Sequence, residues 1–159
     1  MQPVAAVQNE YSIWARDVEA EVLPICVEMG IGLVPWSPLG QGFLTGTVGR
    51  GESFAANDIR SRFPRFTPEA LAANQPVVDL VIDVAARKQV TPGQVALAWL
   101  LANGPGIVPI PGSRRSERVA ENNAAAEVVL TPEEVAEIDE RSAHLAVTGA
   151  RGSSHETHA

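Results

Sequence analysis

A parallel α/β fold is predicted by the alternation of short apolar runs with amphipathic stretches along this chain of 159 residues. The three apolar runs lie at residues 4–7, 31–36 and 107–110, and each is nearly continuous in hydrophobicity. That pattern is typical of parallel strands that are covered on both faces. With the helical stretches included, the order is strand, helix, strand, long loop, two helices, strand and two helices.

The first two helices are predicted from apolar residues at helical spacing. One spans residues 18–29 and ends at Gly30, a residue type that often terminates helices. The other spans residues 76–88 and has its apolar residues on one stripe. Residues 40–75, between the second strand and this helix, are predicted to form a long loop, and loops of that length in compact domains usually have a function.

Capping boxes predict where two later helices begin. The run TPGQ from Thr91 combines a threonine cap, proline at the first helical position and glutamine three residues after the cap. Residues 95–102 are apolar nearly all round, which indicates a helix buried on two sides. The run TPEE from Thr131 starts the last helix in the same way.

Composition narrows the possible functions and the compartment. A net charge of −7 argues against broad nucleic-acid binding and against a polybasic membrane surface. The residues after Met1 show no signal-peptide pattern, and no stretch approaches the ~20 apolar residues of a membrane helix. The single cysteine, Cys26, permits no internal disulfide, and its apolar neighbours favour a buried small side chain over a nucleophile. We therefore expect a cytoplasmic protein with neither nucleic-acid nor membrane partners.

A glycine-rich segment with the sequence GQGFLTG follows the second predicted strand, from Gly40 to Gly46. It does not match the dinucleotide-binding fingerprint, because the third glycine falls one residue late and no helical pattern follows. Its glycines allow the backbone to approach a ligand closely. The segment taken alone supports a plain flexible turn about equally well.

The residues after the third predicted strand indicate an anion site. The chain turns at Pro111 and Gly112 and enters a helical pattern for which Ser113 and Ser116 are both candidate N-caps. Three arginines surround this helix start: Arg114, Arg115 and Arg118. Free N–H groups and the positive end of the helix dipole favour an anion there, phosphate above all, as in the phosphate sites of eight-stranded α/β barrels. The alternative is a surface helix with solvated arginines.

Polar side chains end the first predicted strand. Because side chains alternate along a strand, Gln8 and Glu10 share one face, and Asn9 and Tyr11 share the other. A tyrosine at such a rim is more often a core residue than a stacking platform. Trp36 occupies the equivalent place on the second strand.

Together these segments resemble the C-terminal part of the aldo-keto reductases. The matching stretches are residues 7–12 (VQNEYS), 32–46 (GLVPWSPLGQGFLTG), 91–99 (TPGQVALAW) and 110–122 (IPGSRRSERVAEN). The resemblance implies part of a (β/α)₈ TIM barrel, with about three parallel strands and flanking helices, from about strand six to the end. Residues 1–146 would form this portion, and residues 147–159, rich in Gly, Ser, His and Thr, are expected to be a disordered tail.

The resemblance further implies a binding surface for NADPH or NADP+. Gln8 would hydrogen-bond the nicotinamide carboxamide, and Tyr11 would lie against the nicotinamide ring, a role that Trp36 often shares in such relatives. The residues implied at the pyrophosphate are Ser37, Pro38, Leu39, Gly40 and Gln41. Those implied at the 2′-phosphate are Gly112, Ser113, Arg114 and Arg118, and those implied at the adenine are Glu121 and Asn122. Arg60 or Arg62 on the long loop is a further candidate for the phosphates.

The resemblance also implies that catalytic residues are missing. The family takes an Asp, a Tyr, a Lys and a His from the first four strands, and this chain has one tyrosine, one lysine and three histidines near or in the tail. The proton donor for carbonyl reduction is therefore expected to be absent. A gene fragment, a mis-called start and one part of a split protein fit equally well.

The parent enzyme would reduce aldehydes or ketones to alcohols by hydride transfer. A carbonyl substrate is expected to bind this chain only together with an N-terminal half. A non-catalytic NADP(H)-binding module and an inactive fragment are the alternatives. Because the predicted edge strands, residues 4–7 and 107–110, carry no charge, we expect homo-oligomers or association with the missing half.

Overall fold

A parallel pair of strands with helices packed against it forms the centre of the computed structural model, which describes residues 3–150. The strands are β1 (Ala6–Glu10) and β2 (Gly32–Trp36). The α-helices are α1 (Val22–Met29), α2 (Pro68–Lys88), α3 (Pro92–Ala102), α4 (Ser116–Ala124) and α5 (Pro132–Ala143). Short 3₁₀ turns lie at Asp17–Glu19, Gly40–Thr45, Ile59–Arg62, Pro64–Phe66 and Ala125–Glu127. No helix within residues 3–150 is long and apolar enough to cross a membrane.

Strand β1 begins later than its apolar run predicts. It pairs with β2 in parallel, with Gln8 opposite Val34 and Glu10 opposite Trp36. The prediction of residues 4–7 is wrong at both ends because the polar residues at the end of β1 belong to the ladder. Hydrophobicity does not mark the strand here, because Val4, which precedes it, is 58% exposed and Glu10, its last residue, is 4% exposed.

The third predicted strand, residues 107–110, is not a continuous strand. It makes one parallel bridge, between Ile107 and Leu33. Three backbone hydrogen bonds hold it along the free side of β2: Leu33 N–H to Gly106 O (2.8 Å), Val108 N–H to Leu33 O (2.9 Å) and Ile110 N–H to Pro35 O (3.0 Å). After Leu33, the next residue of β2 that faces this segment is Pro35, which has no N–H to donate to it, so a regular ladder cannot continue here.

Two helices differ from the prediction in where they begin. The helix predicted from residue 18 starts at Val22, after the separate 3₁₀ turn Asp17–Glu19. The helix predicted from Pro76 starts at Pro68, where Thr67 accepts a hydrogen bond from the N–H of Ala70, and Pro76 lies inside it. The predicted loop 40–75 therefore contains three 3₁₀ turns and the first two turns of α2.

Both predicted capping boxes are confirmed. Thr91 Oγ1 accepts from Gln94 N–H at 3.2 Å, and Gln94 Oε1 accepts from Thr91 N–H at 3.0 Å. Thr131 and Glu134 make the same reciprocal pair. Helix α3 is buried over residues 95–100, as its all-round apolar pattern predicts.

One face of the sheet is covered and the other is open. Leu33 and Ile107 point into the helix-covered core and are almost fully buried. On the opposite face Gln8 is exposed and Val108 and Ile110 are 60% and 46% exposed. The prediction of strands covered on both faces is therefore wrong for residues 3–150.

The start of the predicted tail contacts the domain. The N–H of Thr148 donates to Asn74 Oδ1 at 2.7 Å, and Asn74 Nδ2 donates to Thr148 O at 2.9 Å. Val147 packs against the core. The remaining residues assigned to the tail, 151–159, lie outside the described residues.

Candidate functional site

A cleft of about 560 Å³ lies at the carboxyl end of β2, between the segment that follows this strand and the start of α4. Its first wall consists of Ser37, Pro38, Leu39, Gln41, Gly42, Thr45 and Thr47. Its second wall consists of Ile110, Pro111, Gly112, Ser113, Arg114, Arg115, Arg118, Glu121 and Asn122, with Gly93 from the start of α3 between them. The carboxyl ends of strands in α/β folds are where ligands usually bind.

The first wall is built on a left-handed turn. The φ angles are 48° at Ser37, 56° at Gly40, 53° at Gln41 and 96° at Gly42. Two of these residues are not glycine, and such conformations persist only where the surroundings hold them in place. A Cβ atom on Gly40 would lie 2.8 Å from Nε1 of Trp14, so both the backbone angle and the packing require glycine there.

Gln41 lines the cleft and has one buried polar side-chain atom. Its Oε1 has no hydrogen-bond partner among residues 3–150. Buried polar atoms without partners are rare in folded proteins and often mark the place of a ligand or a water molecule. The backbone oxygen of Gln41 accepts from Arg60 Nη1 at 3.4 Å.

Arg60 supports the turn from outside the cleft. Its guanidinium donates to Asp58, with 2.7 Å between Nη2 and Oδ2, and lies 4.1 Å from the centroid of the Phe54 ring. The side-chain hydrogen bonds from Arg60, with that from its N–H, lower the pKa of Asp58 to about 2. Of the two loop arginines, Arg60 therefore contacts the first wall, whereas Arg62 is exposed and does not line the cleft.

The second wall ends in the first turn of α4. The residue at the N-cap position is Arg115, and no side chain caps the helix, so neither candidate serine is the cap. Ser113 instead accepts the N–H of Arg115 at 3.2 Å, one residue before the helix. The first N–H groups of a helix have no partner within it. They are therefore left to solvent or to a ligand of the cleft.

Three arginines and one glutamate set the charge of the second wall. Arg118 pairs with Glu121, with 2.7 Å between Nη1 and Oε2. Arg114 and Arg115 are exposed and make no ion pair with any residue from 3 to 150. The Glu121 carbonyl accepts from Gln94 at 3.2 Å, which ties α4 to α3.

Most of the site residues predicted from the sequence lie together in this cleft. Ten line it: Ser37, Pro38, Leu39, Gln41, Gly112, Ser113, Arg114, Arg118, Glu121 and Asn122. Gly40 is buried beneath the turn against Trp14. Gln8 lies in the middle of β1, opposite Val34, and Trp36 lies at the carboxyl end of β2, opposite Glu10; neither lines the cleft.

Tyr11 does not reach the cleft. Its side chain is fully buried, its hydroxyl donates to Glu19 at 2.8 Å, and its ring meets Trp99 edge-on at 5.3 Å. Burial and the hydrogen bond to Glu19 raise the pKa of Tyr11 above its usual value. A fully buried ring cannot stack on a ligand. Tyr11 is therefore a core residue, as is usual for a tyrosine at the end of a strand, and does not make the nicotinamide contact that the resemblance implies.

Sequence reasoning left out several residues of the cleft. Gly42, Thr45, Thr47, Gly93 and Arg115 line it without having been singled out as site residues. Gly42 and Thr45 belong to the glycine-rich segment, and Arg115 belongs to the arginine cluster. Local sequence patterns therefore point to these three residues. Gly93 is part of a capping box, and only the packing of α3 brings it to the cleft.

Comparison with known proteins identifies the family. Residues 2–143 match the Aldo/keto reductase family. The chain belongs to this family. It is 41% identical over 140 residues to "Probable aldo-keto reductase 1" from Glycine max, a match that covers 88% of this chain and 40% of that protein.

Solved structures of this family share the fold. A glycerol dehydrogenase from Gluconobacter oxydans superposes with a TM-score of 0.80 at 25% identity, over 92% of this chain and 45% of that one. An aldo/keto reductase from Klebsiella pneumoniae, solved with NADP and acetate, superposes with a TM-score of 0.61 at 25% identity, over 86% of this chain and 38% of that one. The α/β fold is thus similar to the barrels of aldo-keto reductases, and the chain spans about 40% of the length of the curated relative.

Proposed function

We propose that this chain binds NADP(H) and forms the cofactor-binding C-terminal portion, over residues 1–146, of an aldo-keto reductase. The observation that carries the proposal is the cleft itself, in which a left-handed glycine turn faces an uncapped helix start with three arginines. Family membership and the NADP in a structural relative support the same ligand.

The residues of the cleft fit a dinucleotide phosphate. The first-turn N–H groups of α4 and the guanidinium groups of Arg114 and Arg118 suit the 2′-phosphate, because charge-assisted hydrogen bonds to phosphate are strong. Gly112 leaves open space, since a Cβ atom on it would have no heavy atom within 4 Å. The turn from Ser37 suits the pyrophosphate, and the unpartnered amide oxygen of Gln41 suits a ribose hydroxyl, which can donate to it.

The remaining parts of the cofactor are assigned by position. Glu121 and Asn122 form the far side of the second wall and would face the adenine. Trp36 ends β2, and Gln8 lies on β1 opposite Val34, so we propose that they take the nicotinamide ring and its carboxamide. The bound NADPH would supply a hydride for the reduction of an aldehyde or a ketone.

Catalysis is proposed to depend on a complementary N-terminal portion. Tyr11 is in the core, Lys88 pairs with Glu134 at 2.8 Å on the side of α2, and His144 caps the end of α5. None of the three lines the cleft. Within residues 3–150 no side chain of these types is therefore placed to donate a proton beside the hydride.

Titration of the purified chain with NADP+ and NAD+ tests the proposal. Saturable one-to-one binding of NADP+, monitored by calorimetry, and much weaker binding of NAD+ are expected. Absence of saturation with NADP+ at millimolar concentration would contradict the assignment of the cleft.

A further inference from the structure

We propose that Arg65 is a positioning residue for the glycine turn of the cleft, and that it acts through Trp14. The turn is the segment Gly40–Thr45 with its left-handed residues Gln41 and Gly42. The link to cofactor affinity rests on the proposed function, whereas the link to the shape of the turn does not.

Arg65 is anchored in the interior by an ion pair with β1. Its Nη1 lies 3.2 Å from Oε1 of Glu10, and the two side chains are 9% and 4% exposed. Glu10 is the last residue of β1, so the sheet fixes its position. A buried pair is screened little by solvent, and each partner depends strongly on the other.

Arg65 in turn packs on Trp14. The guanidinium carbon is 4.9 Å from the centroid of the indole, which is the geometry of a cation–π contact. The indole N–H of Trp14 has no hydrogen-bond partner among the described residues. Packing against Arg65 and aromatic neighbours, rather than a hydrogen bond, therefore holds this 4% exposed side chain in place.

Trp14 contacts the turn at two points. Its ring stacks on Phe43 with 4.7 Å between centroids and 25° between planes. Its Nε1 and Cε2 lie so close to Gly40 that a Cβ atom there would be 2.8 and 2.9 Å away. A shift of the indole would release Gly40 and Phe43 together. The backbone between them would then no longer be held in its left-handed conformation, which persists only where the surroundings maintain it.

A second arginine of the same kind provides a matched control. Arg16 lies over Trp99, with 5.1 Å from the guanidinium carbon to the ring centroid, and pairs with Glu19 and Asp139. This group joins the loop after β1 to α3 and α5 and includes no residue of the turn. Loss of Arg16 should therefore weaken the fold without altering the turn.

The experiment compares Arg65→Met, Arg65→Lys and Arg16→Met in the full chain. Hydrogen–deuterium exchange of residues 37–46 is measured for each variant at a temperature that lies the same number of degrees below its own unfolding midpoint. The affinity for NADP+ is measured by calorimetry. Arg65→Met should increase exchange in residues 37–46 and raise the Kd for NADP+ about tenfold, the usual scale of coupling between separate sites. Arg65→Lys should restore most of the protection from exchange and most of the affinity for NADP+. Arg16→Met should lower the unfolding midpoint and change neither the exchange of residues 37–46 nor the Kd for NADP+.

Equal exchange of residues 37–46 in Arg65→Met and Arg16→Met would overturn the proposal. If Arg65→Met does not fold because Glu10 is left charged and buried, the double variant with Glu10→Gln removes that charge and gives the same readout. Failure of the wild-type chain to bind NADP+ would overturn the proposed function. The exchange measurement would still decide whether Arg65 positions the turn.

Discussion

At the scale of single residues, the cleft places a cation beside an acid. Arg118 is held by Glu121 with its side chain 37% exposed, so its guanidinium is oriented but accessible. A phosphate would share or replace the carboxylate as its partner. Electrostatic attraction of this kind acts on the 2′-phosphate, which NADH lacks, and predicts selectivity for NADPH.

Replacement of Arg118 by alanine tests this selectivity. It should cost about 1.5–3 kcal/mol of NADPH binding, the scale of a hydrogen bond to a charged group, and leave NADH binding nearly unchanged. Calorimetric titration with both cofactors is the measurement, and Arg62→Ala, which removes an exposed arginine outside the cleft, is the control. Equal weakening of both cofactors would contradict the 2′-phosphate assignment.

The individual site residues were predictable to different degrees. Local turn and helix-start patterns point to Gly112 and Arg118, and the resemblance implies Gln41; all three line the cleft. Tyr11 was misplaced by the resemblance, since its neighbours in space, Glu19 and Trp99, are not its neighbours in sequence. Contacts of that kind follow only from the packing of the loop after β1 against α3.

At the scale of elements, Gly40, beneath the turn of the first wall, and Gly112, in the second wall, have different surroundings. Gly40 has a φ of 56° and touches the buried Trp14, whereas a Cβ atom added to Gly112 would meet no heavy atom within 4 Å. Glycine is thus required by the protein's own packing at the first position. At position 112, glycine would leave room for the proposed ligand.

The variants Gly40→Ala and Gly112→Ala should separate these roles. Gly40→Ala should destabilise the chain by at least about 1–2 kcal/mol, the cost of a left-handed non-glycine residue, with the contact against Trp14 adding to it. Gly112→Ala should leave the thermal midpoint nearly unchanged and weaken NADP+ binding. Circular dichroism melting and calorimetry are the measurements. A lower midpoint for Gly112→Ala, or an unchanged one for Gly40→Ala, would contradict this division of roles.

Element boundaries were predicted well where a local cap exists and poorly elsewhere. The capping boxes at Thr91 and Thr131 each span four residues of sequence, and each determines where its helix begins. The start predicted for α2 is too late because the prediction rests on the apolar stripe of residues 76–88, whereas the threonine–proline pair at Thr67 and Pro68 carries the cap. The prediction of a third strand is wrong because Pro35 of β2 has no N–H to donate to residues 107–110, and a hydrophobicity criterion does not detect this.

At the scale of the whole molecule, the proposed cofactor cleft is lined by no tyrosine, lysine or histidine among the described residues. The purified chain should therefore reduce no generic aldehyde above background, because general acid catalysis typically contributes 10²–10⁴-fold. Loss of NADPH absorbance is the assay. A steady rate that disappears in Tyr11→Phe or Lys88→Met would contradict this prediction, and the same assay separates a catalytic portion from a binding module without catalysis.

The open face of the sheet predicts association. Val4, Val108 and Ile110 are 58%, 60% and 46% exposed there, and β1 has no strand on its outer side among residues 3–150. Apolar side chains and an unpaired strand edge are the features that promote pairing between chains. The apolar pattern of the strands predicts that both faces are covered, and we expect another chain or the proposed N-terminal portion to cover the open face.

We expect the chain to self-associate at micromolar concentration and to unfold at a midpoint that rises with concentration. Val108→Glu should shift the chain toward monomer in sedimentation velocity, because it places a charge on the open face. Val129→Glu changes a side chain that is 75% exposed between α4 and α5 and belongs to neither strand, and it should leave association unchanged. A complementary N-terminal portion, added in equal amount, should compete with self-association. A cooperative monomer whose unfolding midpoint is independent of concentration would show that the exposed strand edge and apolar face do not drive pairing.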